Sequence, residues 1–418
     1  MYENSDIQER AILVGAHRGL LNPLEDTTEE SMHELAQLAE TAGAEVLGEI
    51  VQNRDAADKA TFIGEGKLLE VKEMAESLEA NLLIFDDELT GSQLKNIEKI
   101  TECSVIDRSA LILDIFAGRA LSGEGKLQVE LAQLKYSLPR LTGGYQSLSR
   151  QGGGIGTRGP GETKLESDRR HIRGRISALE KEIEELSRHR ELLRTRRRKN
   201  EVPTAALVGY TNAGKSTLLN ALTDAGVLAE NMLFATLDPT VRALAMEDGR
   251  EALLIDTVGF IRKLPHHLIE AFKSTLEEAV TADVLLHVID ASSPEMDNQI
   301  AVVHRLLDSL GCGDKPMLSV YNKCDAAGFT PRPPHPERAV YISAKNGDGL
   351  DTLLSALDDL LPGKRRKLEL LIPYAEGSIL HTIRTEGELL SEDYTPEGTA
   401  VTCMADAALC ARLIKYQR

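Results

Sequence analysis

The sequence predicts an α/β protein in four parts. These are an N-terminal α/β domain over 1–120, a helical hairpin over 121–200, a P-loop nucleotide domain over 201–363 and a small α/β C-terminal appendage over 364–418. Three observations carry that prediction. Strand-like and helix-like runs alternate through 1–120, the pattern of a layered, mostly parallel sheet. Leucine and isoleucine recur at 4-3-4-3 spacing on both sides of a glycine-rich stretch within 121–200. Gly209-Tyr-Thr-Asn-Ala-Gly-Lys-Ser-Thr217 fits G-x-x-x-x-G-K-[ST] between an apolar strand and a helix start.

In the first part, Ala11–Val14, Glu45–Val51, Asn81–Phe85 and Ser104–Asp107 read as strands. Ser31–Ala42, Gly66–Leu78 and Thr90–Thr101 read as helices between them. Gly64-Glu-Gly-Lys67 echoes a phosphate loop but lacks its spacing, and reads as a turn into a helix.

In the second part, Leu127, Leu131, Leu134, Leu138 and Leu141 form one narrow seam. Ile172, Ile176, Leu179, Ile183, Leu186 and Leu193 form another, so two helices should pack on each other. The stretch Gly143–Gly161 between them holds eight glycines and a proline and cannot stay helical. The tip and its flanks carry Arg140, Arg150, Arg158, Arg169, Arg170 and Arg173. Arginine forks onto phosphate, which favours an RNA-contacting loop over a plain linker.

Charge supports the same division. The whole chain carries −18, yet 164–200 holds thirteen Lys/Arg against seven Asp/Glu, so the remainder carries −24. A basic element on an acidic body suits a polyanionic partner. A solvated helix laced with ion pairs gives the same composition. Trp is absent and aromatic content is 4%, against a base-stacking module. The five cysteines are scattered without a C-x-x-C pair, so neither a zinc site nor a disulfide framework is expected. The acidic start lacks a signal-peptide pattern and no apolar run is long enough to span a membrane. A cytoplasmic, monomeric protein is expected, with loose membrane association left open.

The third part carries the chemistry. Loop N–H groups and a helix N-terminus can wrap phosphates, with Lys215 reaching the outer ones and Ser216 offering a hydroxyl to Mg²⁺. Phe234-Ala-Thr-Leu-Asp-Pro-Thr240 lies where a mobile switch would put the Thr236 hydroxyl on that metal. The strand Ala252–Asp256 ends in Asp256-Thr-Val-Gly259, where Asp256 would hold the metal through water and the Gly259 N–H would sense the terminal phosphate. Asn322-Lys-Cys-Asp325 follows another apolar strand. A carboxylate at Asp325 can accept from both N1–H and the N2 amino group of guanine; adenine offers no such pair. Lys323 would lie over the base, Asn322 would brace the loop, and Ser343-Ala-Lys345 would give an N–H to guanine O6. Phe260 stands where many GTPases place a water-orienting glutamine, so slow intrinsic hydrolysis is expected, quickened by an outside surface. Asn212 either caps a turn or helps hold a monovalent cation, K⁺, beside the phosphates. In the last part, Leu368–Pro373 and Thr399–Met404 are strand-like and Ala405–Tyr416 helix-like, without recognisable chemistry.

These motifs, with Leu127-Gln-Val-Glu-Leu-Ala-Gln-Leu-Lys-Tyr136, Gly159-Pro-Gly-Glu-Thr-Lys-Leu-Glu-Ser-Asp-Arg-Arg170 and Asp256-Thr-Val-Gly-Phe-Ile261, resemble the HflX family, a branch of the Obg-related translational GTPases. The resemblance spans nearly the whole chain. It implies a P-loop GTPase that binds GTP and GDP with Mg²⁺ and associates with the large ribosomal subunit. It further implies that the hairpin tip meets ribosomal RNA near the peptidyl transferase region, and that stalled ribosomes are split or rescued under stress. An RNA-dependent NTPase acting off the ribosome is the alternative. Carried over by position, Ser216 and Thr236 are the metal ligands, with Lys215, Thr236 and Gly259 the catalytic groups. The nucleotide contacts are Gly209, Tyr210, Thr211, Asn212, Ala213, Gly214, Lys215, Ser216 and Thr217, then Phe234, Ala235, Thr236, Leu237 and Asp238. Asp256, Thr257, Val258 and Gly259 follow, then Asn322, Lys323, Cys324 and Asp325, and finally Ser343, Ala344 and Lys345.

Overall fold

A computed structural model describes residues 8–19, 28–141, 160–199, 202–223, 233–234, 236–246, 249–264, 268, 278–326, 339–363, 366–405 and 407–417. The glycine-rich tip with Arg150 and Arg158, and Ala235, lie outside the described residues.

The first sheet runs β2 (Glu45–Asn53), β1 (Arg10–His17), β3 (Leu82–Phe85), β4 (Ser104–Asp107), and every pairing is parallel. Ile12, Leu13, Val14, Leu83 and Ile84 are fully buried, as expected of parallel strands covered on both faces. The covering helices are α1 (Glu29–Thr41), α2 (Glu65–Leu78), α3 (Gly91–Thr101) and α4 (Arg108–Arg119). Gly64 is the residue before α2, so its turn does open a helix. Thr90 and Gln93 close a reciprocal capping box on α3. Helix α4 was not anticipated from the sequence. Asp107 ends β4 and at the same time caps α4, accepting from the Ala110 N–H at 2.9 Å, so no turn residue marks the junction.

The hairpin consists of α5 (Gly123–Arg140) and α6 (Pro160–Lys199), packed along each other. On α6, Leu179 is buried and Ile172, Ile176 and Ile183 are half-buried, while most of its other described side chains are exposed. Helix α5 has a second apolar face that the leucine seam did not reveal. Val129 and Ala132 are buried in one cluster with Phe116 of α4. Ion pairs stitch the helices: Arg175 forks onto Glu130 at 2.7 and 2.8 Å, Lys135 meets Glu180 at 3.0 Å, and Arg190 meets Glu124 at 2.7 Å. Two of the arginines flagged for RNA are used inside the fold. Arg140 bonds Leu89 O, Glu88 and Asp107 and lies over the Tyr136 ring; Arg169 donates to Leu141 O at 2.6 Å.

The second sheet runs β10 (Ala339–Tyr341), β9 (Met317–Asn322), β8 (Val284–Asp290), β5 (Thr204–Gly209), β7 (Glu251–Asp256), β6 (Thr240–Ala245). Only β6 is antiparallel. Helices α7 (Lys215–Thr223), α8 (Met296–Ser309) and α9 (Leu350–Leu360) accompany it. The motif loops all leave the carboxyl ends of β5, β7, β9 and β10, where open parallel sheets bind ligands.

The C-terminal sheet is antiparallel, ordered β11 (Arg366–Ile372), β13 (Gly398–Ala405), β12 (Glu388–Thr395), with helices α10 (Ser378–Glu386) and α11 (Ala407–Leu413). Strand β12 and helix α10 escaped the sequence reading because β12 is mostly exposed and polar. Among the described residues no helix is long and apolar enough to cross a membrane.

Candidate functional site

Strand β5 delivers the phosphate loop. At Gly209 a Cβ would run into Val288 O on β8, so only glycine lets the chain turn there. Gly214 has φ +94° with the Asn322 amide against it, and Asn212 is also left-handed at φ +59°. Buried Ala213, Leu218 and Leu219 anchor the start of α7, whose N-terminus points its N–H groups into the loop. Lys215 is buried with Nζ on Tyr210 O at 2.9 Å and Gly209 O at 3.2 Å. Burial pushes its ammonium down to about 8, against the pull of Asp256.

Three oxygen-bearing side chains meet beside it. Ser216 Oγ lies 2.7 Å from Asp256 Oδ2 and 2.9 Å from Thr236 Oγ1, which itself donates to Asp256 Oδ2 at 2.9 Å. Burial raises the Asp256 carboxyl, while Lys215, Ser216 and Thr236 oppose it. Its second oxygen, Oδ1, is buried without a hydrogen-bond partner among the described residues. Hard oxygen donors with one acceptor left over suit a magnesium ion and its water. Thr257 is fixed by a 2.6 Å bond to Leu207 O, and Val258 is buried in the core. A Cβ on Gly259 would come within 2.9 Å of Thr211 Cα and 3.0 Å of Lys215 Nζ. Phe260 is itself core, and its backbone pairs with the phosphate loop: its N–H donates to Gly209 O at 3.0 Å and its carbonyl accepts from Thr211 N at 2.7 Å.

The base end is equally tied together. Asn322 is buried; its amide donates to Ala213 O and its carbonyl accepts from Ala344 N, both at 2.9 Å. It therefore clamps the phosphate loop to the last motif. Lys323, at φ +63°, is held by Asp290 at 2.8 Å. Asp325 is exposed and accepts from Ser343 Oγ at 2.7 Å, which holds its carboxyl below the usual range. Cys324 is turned away onto Tyr321 O, and burial pushes its thiol up. The N–H groups of Ser343 and Ala344 are used inside the protein, by Asp348 O and Asn322; Ala344 and Lys345 line the cavity. That cavity, of about 430 Å³, runs from Thr211, Ser216, Thr217 and Thr236 to Lys323 and Asp325.

Several residues expected on the nucleotide face elsewhere. Asp238 accepts from the Leu121 and Ser122 N–H groups at 3.1 and 2.8 Å and from the Ser122 hydroxyl. It holds the start of α5, not the ligand cavity. Leu237 is buried in the core. Phe234 reaches the cavity wall but packs edge-to-face on Phe116 of α4, ring centres 4.6 Å apart. The Tyr210 hydroxyl bonds Glu34 on α1 at 2.5 Å and receives the Arg262 N–H at 2.9 Å.

Tyr210 opens a buried polar chain that motif reading missed. Arg108, 1% exposed, pairs with Glu34 and, at 2.7 Å, with Asp86. Asp86 also takes Lys263 at 2.5 Å and the Ser31 hydroxyl at 2.6 Å. Burial opposes ionisation of Asp86, but Arg108 and Lys263 outweigh it and hold the carboxyl well below its ordinary range. The available signal was position: Asp86 and Arg108 directly follow the carboxyl ends of β3 and β4.

A chain folded this way around this cavity is a P-loop GTPase. Three family models match it in succession: "GTP-binding GTPase N-terminal" over 29–117, "GTP-binding GTPase Middle Region" over 119–197 and "50S ribosome-binding GTPase" over 204–323. It is 53% identical to GTPase HflX of Caldanaerobacter subterraneus subsp. tengcongensis, spanning 100% of this chain and 95% of that one. It is 51% identical to GTPase HflX of Lacrimispora saccharolytica, over 99% and 97%. A solved GTP-binding protein from Sulfolobus solfataricus in complex with GDP is 26% identical over 84% of this chain and 98% of that chain, with a TM-score of 0.45. The chain belongs to the HflX family of GTPases. P-loop GTPases generally use Mg²⁺ with the nucleotide.

Proposed function

We propose that this GTPase works on the large ribosomal subunit, and that its nucleotide state is passed to the α5–α6 hairpin through residues 234–240. One observation carries the reading. Thr236 stands in the oxygen cluster with Ser216 and Asp256, while Asp238, two residues on, holds the first turn of α5. A segment that answers to the terminal phosphate thus also answers to the hairpin.

Ser216 and Thr236 would hold Mg²⁺ directly and Asp256 through water. The ion supplies charge neutralisation for the transferring phosphoryl group. Lys215 moves from its carbonyl partners to the outer phosphates, and the Gly259 N–H meets the terminal phosphate. Asp325 reads guanine, with Lys323 over the base. Asn212, exposed and lining the cavity, would help hold K⁺ beside the phosphates. The hairpin, with Arg170 and Arg173 exposed, would meet ribosomal RNA, and the monomer would split or rescue stalled ribosomes.

The test is GTP turnover with and without large subunits, alongside retention of the protein on those subunits. Acceleration by subunits, with retention by a GTP analogue well above GDP, is expected. Unchanged turnover removes the ribosome from the reading. Equal stimulation by naked RNA would favour an RNA-dependent NTPase.

A further inference from the structure

We propose that the Thr211 hydroxyl positions the attacking water, the task for which Phe260 has no suitable atom. The inference rests on the GTPase reading of the same cavity and adds a residue to its chemistry. Phe260 cannot swing in to help. Its side chain is in the core, its ring has no hydrogen-bonding atom, and its backbone is paired on both sides to the phosphate loop. Other hydroxyls near the terminal-phosphate end are committed: Ser216 and Thr236 to Asp256, and Thr257 to Leu207 O.

Thr211 differs. It is 5% exposed, and its Oγ1 is buried with no hydrogen-bond partner among the described residues. A buried hydroxyl left unpaired is costly and calls for a partner that arrives with the ligand. The position fits. Thr211, Lys215 and Gly259 line one cavity, and the Thr211 Cα and methyl, with Lys215 Nζ, are the atoms nearest Gly259. Thr211 and Asn212 also form the wall shared with a second cavity, of about 510 Å³, that extends between α1 and the start of α8 past Gln37 and Gln299. That space is lined by polar groups and can hold water.

In the step itself, the water oxygen bonds to the terminal phosphorus. The bond to the bridging oxygen breaks, its electron pair leaving on GDP. One water proton stays on the attacking oxygen and the other passes to a second oxygen of the released phosphate. Thr211 accepts a hydrogen bond from the water and orients it; it takes no proton.

Single-turnover hydrolysis by Thr211→Val, which keeps the shape and loses the hydroxyl, tests this. The rate should fall about 10- to 100-fold, the scale of one lost transition-state contact. Thr211→Ser should restore most of it. KM and GDP affinity should stay within about twofold of the parent, while affinity for GDP with aluminium fluoride falls with the rate. Thr211→Val turning over like the parent, or losing GDP affinity as much as rate, overturns the role. Parent protein that binds GDP but never hydrolyses GTP would instead count against the GTPase reading itself.

Discussion

In the proposed reading Asp325 would offer guanine two acceptor oxygens, and the Ser343 hydroxyl at 2.7 Å already orients its carboxylate. Replacing it with alanine removes both acceptors. GDP affinity should fall on the order of 100-fold or more without any gain for ADP, as titration with labelled nucleotides would record. Gly259 is constrained from the other side. The methyl of Gly259→Ala meets Thr211 and Lys215, so the variant should keep GDP while losing GTP-dependent ordering and most hydrolysis. Calorimetry with GDP and with a non-hydrolysable analogue separates the two effects. A third residue reports on the sheet beneath. His287 on β8 is fully enclosed, and burial, with His304 beside it, pushes its imidazole down to about 3. The folded state therefore keeps it neutral, while the unfolded chain takes a proton below its ordinary value near 6.5. Stability should be unaffected above that value. Below it, about 1.4 kcal/mol per pH unit should be lost down towards the folded value. Urea midpoints between pH 7 and 5, compared with His287→Leu, would show whether the slope belongs to this ring.

At the scale of elements, the junction between residues 234–240 and α5 decides how the hairpin is governed. Asp238 puts a carboxylate on the N-terminal turn of α5, and a Cβ on Gly125 would touch it. Asp238→Ala should cost α5 about 1 kcal/mol. It should also narrow the gap between GTP-bound and GDP-bound affinity for large subunits, measurable by co-sedimentation. Asp238 was singled out in the sequence, but its partner Ser122 was not. Glycines, apolar strands and spacings are local signals, and the strands that end at Gly209, Asp256 and Asn322, with the loops that leave them, were legible from them. Asp238 and Ser122 lie far apart in the chain, and no period or propensity pairs them. Helix α4 was hidden for a different reason, since one aspartate ends a strand and opens a helix.

At the scale of the molecule, the Tyr210–Glu34–Arg108–Asp86–Lys263 chain joins the N-terminal sheet to the nucleotide sheet. Its members come from five separated places and could be ordered only by the fold. Removing Arg108 takes away the one guanidinium that Glu34 and Asp86 share, leaving Glu34 with the Tyr210 hydroxyl and Asp86 with Lys263, so Arg108→Ala should cost about 3 kcal/mol. Because the chain ends on both the phosphate loop and the stretch after Gly259, the same variant should weaken GDP binding. Equilibrium unfolding and nucleotide titration of one preparation would check both. An N-terminal unit bound in this way is part of the nucleotide site's support.

Helix α6 has a mechanical consequence of its own. Its 40 residues make a rod about 60 Å long. The rod is clamped along α5 and joined at its Lys199 end to the nucleotide sheet. If the α5 footing at the Glu124–Arg190 contact turns by about 5°, the Pro160 end, about 45 Å away, sweeps through about 4 Å. Such a throw is wider than a bond or a water molecule, so the cleavage of one phosphate need only tilt the fulcrum slightly to move the far end past whatever it is wedged against.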